Sequence, residues 1–226
     1  MRIELVDEVD STNEYIKRYL QSGEDMIVCA RRQTQGRGTK NRSFLSLEGG
    51  VYLTALKFYE DLPATDAFKI MAHAAVAVCR VAKSFGVSPE IKWANDVLVD
   101  GKKLCGILIE NALKGGRIAY SIVGIGVNAC NDISSLGGIA TTLTEQAGRY
   151  ISAEEARERL IEEYQRPSTF EEYLSYVKFL GKTVRVIEKD TEYEAVAKRV
   201  LADGRLEIEI QGQTRALSSA EIKVVL

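Results

Sequence analysis

A chain of 226 residues with 46% hydrophobic and 27% charged residues has the balance of a folded globular protein, long enough for one substantial domain and a small second one. A formal net charge of −2 gives no bulk attraction to nucleic acid or to an anionic membrane. The longest purely apolar run, Ala74 to Cys79, has six residues against the roughly 20 that a bilayer span needs, and Glu4 and Asp7 stand where a signal peptide would be apolar. No membrane association and a cytoplasmic location are therefore expected.

In chain order, Arg2 to Val6 reads as a strand, and Ser11 with Glu14 three residues later reads as a capping box opening a helix to about Leu20. Met26 to Ala30 is a strand candidate. A loop rich in glycine, arginine and serine runs from Gln33 to Gly50 and leads into a strand from Val51 to Lys57. The alanine-rich segment from Ala64 to Phe85 predicts a buried helix ended by Gly86. Short strands follow at Glu90 to Trp93 and Val97 to Val99, with a turn at Asp100-Gly101. Longer ones at Leu104 to Leu113 and Ile118 to Val127 form a hairpin closed around Gly115-Gly116.

A helical zone from about Thr142 to Phe179 is interrupted at Arg166-Pro167-Ser168, with Ser152 and Glu155 as a second capping box. Beyond Gly181 come five strand candidates, near 183–188, 193–201, 205–210, 213–217 and 221–225, with turns at Asp203-Gly204 and Gln211-Gly212. They suggest a small barrel. The expected division is 1–179 and 180–226.

Cysteines 29, 79, 105 and 130 lie 50, 26 and 25 positions apart, and the single histidine, His73, sits in an apolar helical run without a ligand-spaced partner. Structural zinc and a Ser-His or Cys-His nucleophile are disfavoured, and reduced thiols are the default.

Three segments carry candidate chemistry. In Gln33 to Arg42, two glycines free the backbone while Arg37, Lys40 and Arg42 can neutralise phosphate or carboxylate, although a solvated basic loop has the same composition. In Lys92-Trp93-Ala94-Asn95-Asp96, followed by Gly101 to Leu108, Lys92 and Trp93 face opposite sides of a strand and Asp96 can serve Mg²⁺. An ordinary strand and turn would read the same way. In Val123 to Asn128, glycines within a strand imply close backbone approach. Gly181-Lys182-Thr183 ends like a phosphate-binding loop, but Tyr176 occupies its required first glycine position. Gly36-Arg37-Gly38 lacks the third glycine of a dinucleotide fingerprint.

Taken in order, these segments resemble the biotin protein ligase family along nearly the whole chain. The family's Ser-Thr-Asn is matched by Ser11, Thr12 and Asn13, and its Gly-Arg-Gly loop by Gly36, Arg37 and Gly38. Its Lys-Trp-Pro-Asn-Asp is matched by Lys92 to Asp96, the lysine of its Lys-Leu-Ala-Gly-Ile-Leu run by Lys103, and its Gly-Ile-Gly-x-Asn by Gly124 to Asn128. The resemblance implies an α+β fold, with a mixed-sheet catalytic domain of the biotin/lipoate ligase type and a C-terminal SH3-like β-barrel. It implies a carbon–nitrogen ligase that converts biotin and ATP, with Mg²⁺, to biotinyl-AMP and then biotinylates a lysine of a biotin carboxyl carrier protein domain.

By the same resemblance Ser11, Thr12, Asn13, Gln33, Arg37, Gly38, Thr39 and Lys103 bind biotin and its activated tail, with Arg37 and Lys103 catalytic. Arg42, Phe44, Lys92, Asn95 and Asn128 serve ATP, and Asp96 the metal. Ala94 replaces the family's proline, Phe44 its usual tryptophan, and Thr39 an arginine common in the loop, which puts tight retention of biotinyl-AMP in question. Ten residues precede Ser11, so no N-terminal DNA-binding domain is expected; a homodimer remains open. The rival readings are a lipoate or octanoate ligase, whose loop carries a histidine absent here, and a nucleic-acid-binding module using Arg31, Arg32, Arg37, Lys40 and Arg42.

Overall fold

Strand alternation builds a mixed sheet whose two faces carry different things. The computed structural model describes residues 1–39, 42–188 and 191–218 and the backbone of 222–225. β1 (Arg2–Val9) runs parallel to β2 (Met26–Gln33), and β3 (Val51–Pro63), β4 (Glu90–Lys92), β5 (Asp96–Val99), β6 (Lys102–Lys114) and β7 (Arg117–Val127) add antiparallel pairs. Their order is β1-β2-β3-β7-β6-β5-β4, seven strands in all. Gly115 and Gly116, at φ 59° and 75°, close the β6–β7 hairpin in the left-handed conformation that a two-residue turn needs.

One face is covered by α2 (Ala67–Ser84), whose alanines let it lie close to Leu53, Ile107, Val123 and Ile125 in the main apolar core. On the other face α1 (Thr12–Ile16) seats Ile16 on Met26, Val28, Leu56 and Ile122. The expected helix to Leu20 divides here, because a tighter 3₁₀ stretch, Lys17–Ser22, follows α1. The expected Ser11–Glu14 capping box does not form. Ser11 makes no side-chain cap bond, and the Glu14 carboxylate is taken by Lys17, at 2.8 Å, and by Arg37. A charge-assisted pair outcompetes a neutral backbone amide for that carboxylate.

The helical zone resolves into α3 (Leu143–Ala147), α4 (Ala153–Gln165) and α5 (Phe170–Tyr176). The reciprocal capping box belongs to Thr142 and Glu145, while Ser152 accepts the Glu155 amide at 3.1 Å. Arg80 of α2 bonds Glu172 of α5 through Nε at 2.7 Å and ties the two helices together. No helix among the described residues is long and apolar enough to cross a membrane. Cys29, Cys79 and Cys105 are buried free thiols, and burial pushes that of Cys29 up to about 12.

The C-terminal strands β8 (Thr183–Glu188), β9 (Thr191–Val200), β10 (Leu206–Ile210), β11 (Gln213–Leu217) and β12 (Ile222–Val225) form an antiparallel five-stranded sheet in the order β11-β10-β9-β8-β12. This is the small C-terminal β-unit expected of the α+β fold, and among the described residues no pairing joins β11 to β12. It packs on the first sheet's layer through a tight contact. The Trp93 indole donates to the Gly204 carbonyl at 2.8 Å, and a Cβ on Gly204 would stand 2.1 Å from the Phe68 ring.

Gly204→Ala, at φ 86° and against Phe68, is expected to lose roughly 2–4 kcal/mol in urea unfolding, whereas Gly212→Ala, at φ 78° in open space, loses about 1 kcal/mol; equal losses would show that the Phe68 contact is soft. His73 bridges Ser168 Oγ at 2.9 Å and the Tyr164 carbonyl at 2.7 Å, and burial holds its pKa below the usual histidine value. The unfolded chain therefore gains this proton first, so stability is full above pH about 6.5 and falls as pH drops below it. Urea midpoints at pH 7.5 and 5.5 should differ less in His73→Gln than in the natural protein.

Candidate active site

The pattern of side chains on one sheet face leaves a bare patch. Gly106 of β6 pairs in register with Gly126 of β7, and Gly124 stands between Thr54 of β3 and Leu108 of β6. All three glycines lie on the floor of a single cleft. Two of them have no space for a side chain. A Cβ on Gly124 would lie 2.3 Å from Asn13 Oδ1, and one on Gly126 would lie 2.5 Å from the Phe44 ring.

Asn13 begins a buried polar network. Thr54 Oγ1 lies 2.7 Å from Asn13 Oδ1 and 2.8 Å from Thr12 Oγ1, and the Thr12 hydroxyl and amide both donate to Gln33 Oε1, at 2.9 and 2.7 Å. Gln33 Nε2 in turn donates to Ser46 Oγ at 2.8 Å, and Ser46 donates to the Phe44 carbonyl at 3.0 Å. The Asn13 Nδ2 is buried without a partner. An amide donor left unbonded against the cleft costs stability and is available to a ligand.

The loop after β2 folds over this floor as a miniature hairpin. Arg37 pairs with Ser43, the Gly38 amide donates to the Arg42 carbonyl at 2.7 Å, and Phe44 N donates to Gly36 O at 2.8 Å. Gly36 is held so close to Ser46 Oγ and Phe44 O that a Cβ would meet them at 2.3 and 2.4 Å. Arg37 reaches Glu14, which also binds Lys17, and Lys17 continues to Glu110 at 3.0 Å. The Lys17 hydrogen bond, with the charges of Lys17 and Arg37, holds the Glu14 carboxyl below its usual range. Where the sequence suggested a missing guanidinium at position 39, Thr39 instead anchors one: Arg42 donates to Thr39 Oγ1 at 3.0 Å and to its carbonyl at 3.2 Å. Lys40, counted among the basic loop residues, lies outside the described residues.

On the far side Lys103 Nζ stands 6.0 Å from the Phe44 ring centre and 2.8 Å from Asp96 Oδ1. The cleft thus brings together Ser11, Thr12, Asn13, Gln33, Arg37, Gly38, Thr39, Arg42, Phe44, Asn95 and Lys103. Lys92, Asp96 and Asn128 do not line it. Asn128 is buried, its Nδ2 donating to the Lys103 carbonyl at 3.4 Å and its Oδ1 accepting from Asn131 at 3.1 Å. The sequence reading missed Thr54, Ser46 and Tyr52. Thr54 was the discoverable one, as a hydroxyl inside an otherwise apolar stretch of β3.

A cleft with an uncharged hydrogen-bonding end and a cationic end suits a ligand that is neutral at one end and anionic at the other. The model of the Biotin/lipoate A/B protein ligase family matches residues 5–128, more than half of the chain. The chain belongs to that family. It is 38% identical over 133 residues to the bifunctional ligase/repressor BirA of Bacillus subtilis, covering 57% of this chain and 41% of that protein. It is 28% identical over 218 residues to the protein of that name from Bacillus spizizenii, covering 89% and 66%. The chain therefore spans no more than 66% of the length of these two relatives. The biotin protein ligase of Aquifex aeolicus, solved in complex with biotin and ATP, shares the fold with a TM-score of 0.78 at 24% identity, covering 99% of this chain and 98% of that one.

Thr54→Val keeps shape but removes the hydroxyl that faces both Thr12 and Asn13, leaving the Asn13 amide unbonded at both ends. A loss of about 1–3 kcal/mol in chemical unfolding is expected; no measurable loss would show that water replaces the hydroxyl.

Proposed function

We propose that this chain is a biotin protein ligase, which activates biotin with ATP and transfers it to a lysine of a biotin carboxyl carrier protein domain. The observation that carries the reading is the joining, in one cleft, of a buried neutral end at Ser11, Thr12, Asn13 and Gln33 to a cationic end at Arg37, Arg42 and Lys103. A cyclic urea head fits the first, through the unpartnered Asn13 donor and the Ser11 hydroxyl. A carboxylate meeting phosphate fits the second. Residues 1–179 would form the domain that binds biotin and ATP, and 180–226 a C-terminal SH3-like domain.

In the first step a biotin carboxylate oxygen bonds to the α-phosphorus of ATP as the bond to pyrophosphate breaks. Two anions meet here, so fixed cations and positioning lower the barrier. Arg37, Arg42 and Lys92 are assigned to that charge, Gly38 and Thr39 to the passage of the tail, and Phe44, Asn95 and Asn128 to the adenine side. In the second step the carrier's lysine amine attacks the acyl carbon, AMP leaves with the bonding electrons, and the amine loses a proton. Lys103 is assigned to the acyl oxygen on which negative charge develops.

The carboxylate expected to serve Mg²⁺, that of Asp96, is engaged by the Lys103 ammonium at 2.8 Å. Magnesium enters this reading only with the ATP phosphates. The lipoate alternative is supported by the family name, and the bound biotin of the Aquifex aeolicus neighbour favours biotin.

ATP–pyrophosphate exchange should depend on biotin and Mg²⁺; equal exchange with lipoate or octanoate would overturn the substrate assignment. Lys103→Ala, which costs some stability by stripping Asp96 of its partner, should lose carrier biotinylation in the folded protein by roughly 10²–10³-fold in rate. A near-normal transfer rate would remove Lys103 from the mechanism.

A further inference from the structure

Asp96 opens β5 opposite Gly106 in register, and its Oδ1 lies 2.8 Å from Lys103 Nζ on the neighbouring strand. That oxygen is buried and makes no aligned hydrogen bond, so the ammonium is what meets its charge. Gly106 makes room for the pair: a Cβ there would stand 3.2 Å from both Lys103 Cε and Nζ. The Lys103 backbone is pinned independently. Its amide donates to Ile139 O at 3.0 Å, and its carbonyl accepts from Thr141 N at 3.0 Å.

A lysine head on a four-carbon stem is otherwise free to rotate, whereas an oxyanion donor must stand within hydrogen-bond reach of an atom that bears charge only in the transition state. We infer that Asp96 is the positioning residue of Lys103: its charge holds the ammonium over Gly106 as an ion pair, within reach of the acyl oxygen, and it does not ligate magnesium. This rests on the biotin ligase reading and assigns a role within it. It replaces the expectation that Asp96 seats Mg²⁺. The two roles separate because acyl transfer from a finished adenylate needs neither ATP nor metal.

The test supplies synthetic biotinyl-AMP to the full chain in EDTA, with a biotin carboxyl carrier domain in excess, and follows a single round of transfer. Asp96→Asn should slow transfer by about 10- to 150-fold, the scale of one charge-assisted hydrogen bond. Combining it with Lys103→Ala should add nothing to the Lys103→Ala defect, since a residue acting through another is silent once that other is gone. Asp96→Glu, which keeps the charge, should recover part of the rate, and it carries the test if the asparagine variant does not fold. Transfer in EDTA at the natural rate, with exchange from ATP now needing more Mg²⁺, would make Asp96 a metal ligand and overturn the inference. Additive defects in the double variant would overturn it as well. Failure of the natural protein itself to transfer biotin overturns the ligase reading instead.

Discussion

The bare patch where Gly106 and Gly126 face each other across β6 and β7, with Gly124 two residues along on the same face, is the constraint on which the rest of the molecule depends. Glycine within a strand is destabilising by roughly 0.5–1 kcal/mol relative to alanine, so three of them on one face weaken the sheet locally. The same strands offset that weakness on their other face. There Ile107, Val123, Ile125 and Val127 are buried with the alanines of α2 in the main core. Period-two alternation makes this possible, because each strand can be densely packed on one side and stripped on the other. α1 then closes the stripped face only in part: Ile16 covers Ile122 and Leu56, and beyond it the face opens into the cleft.

Charge is distributed around that opening so that its cations are tethered. Arg37 is held by Glu14, Arg42 by Thr39, and Lys103 by Asp96. Exposed or half-exposed ion pairs of this kind contribute little to folding stability, and their effect is on where a long side chain spends its time. The Glu14 side chain turns to Lys17 and Arg37, and the Ser11 amide that a capping box would satisfy donates to Asp10 Oδ1 at 2.7 Å instead, so the box is absent. Local structure gives way to the site.

The segment from Lys92 to Asp96 joins the two sheets to the cleft. The Trp93 indole bonds Gly204 of the C-terminal sheet, the Tyr173 hydroxyl of α5 donates to the Ala94 carbonyl at 3.4 Å, and Asp96 meets Lys103. A turn of five residues is thus held from three directions. The C-terminal sheet reaches the segment through a backbone carbonyl at a position where Phe68 leaves no space for a side chain, so the contact depends on close approach.

Much of this was legible in the sequence because it is local. Apolar periodicity placed the strands of both sheets and α2 within a few residues, Gly115-Gly116 and Asp203-Gly204 marked turns, and the ordered motifs named most of the cleft lining. What the sequence could not determine is set by neighbours far along the chain. Ser11 and Glu14 have the spacing of a capping box, yet Arg37, 23 residues beyond Glu14, takes the carboxylate. Thr54 looks like one residue of an apolar strand until Asn13, 41 positions away, lies beside it. Asn128 ends a glycine-rich strand, and its amide meets the Lys103 carbonyl, 25 positions back, and Asn131. Residue type and spacing determine which groups a segment can offer; only the packing of the sheet decides which partner reaches each group first, because a hydrogen bond or ion pair is settled by ångström distances that no periodicity encodes.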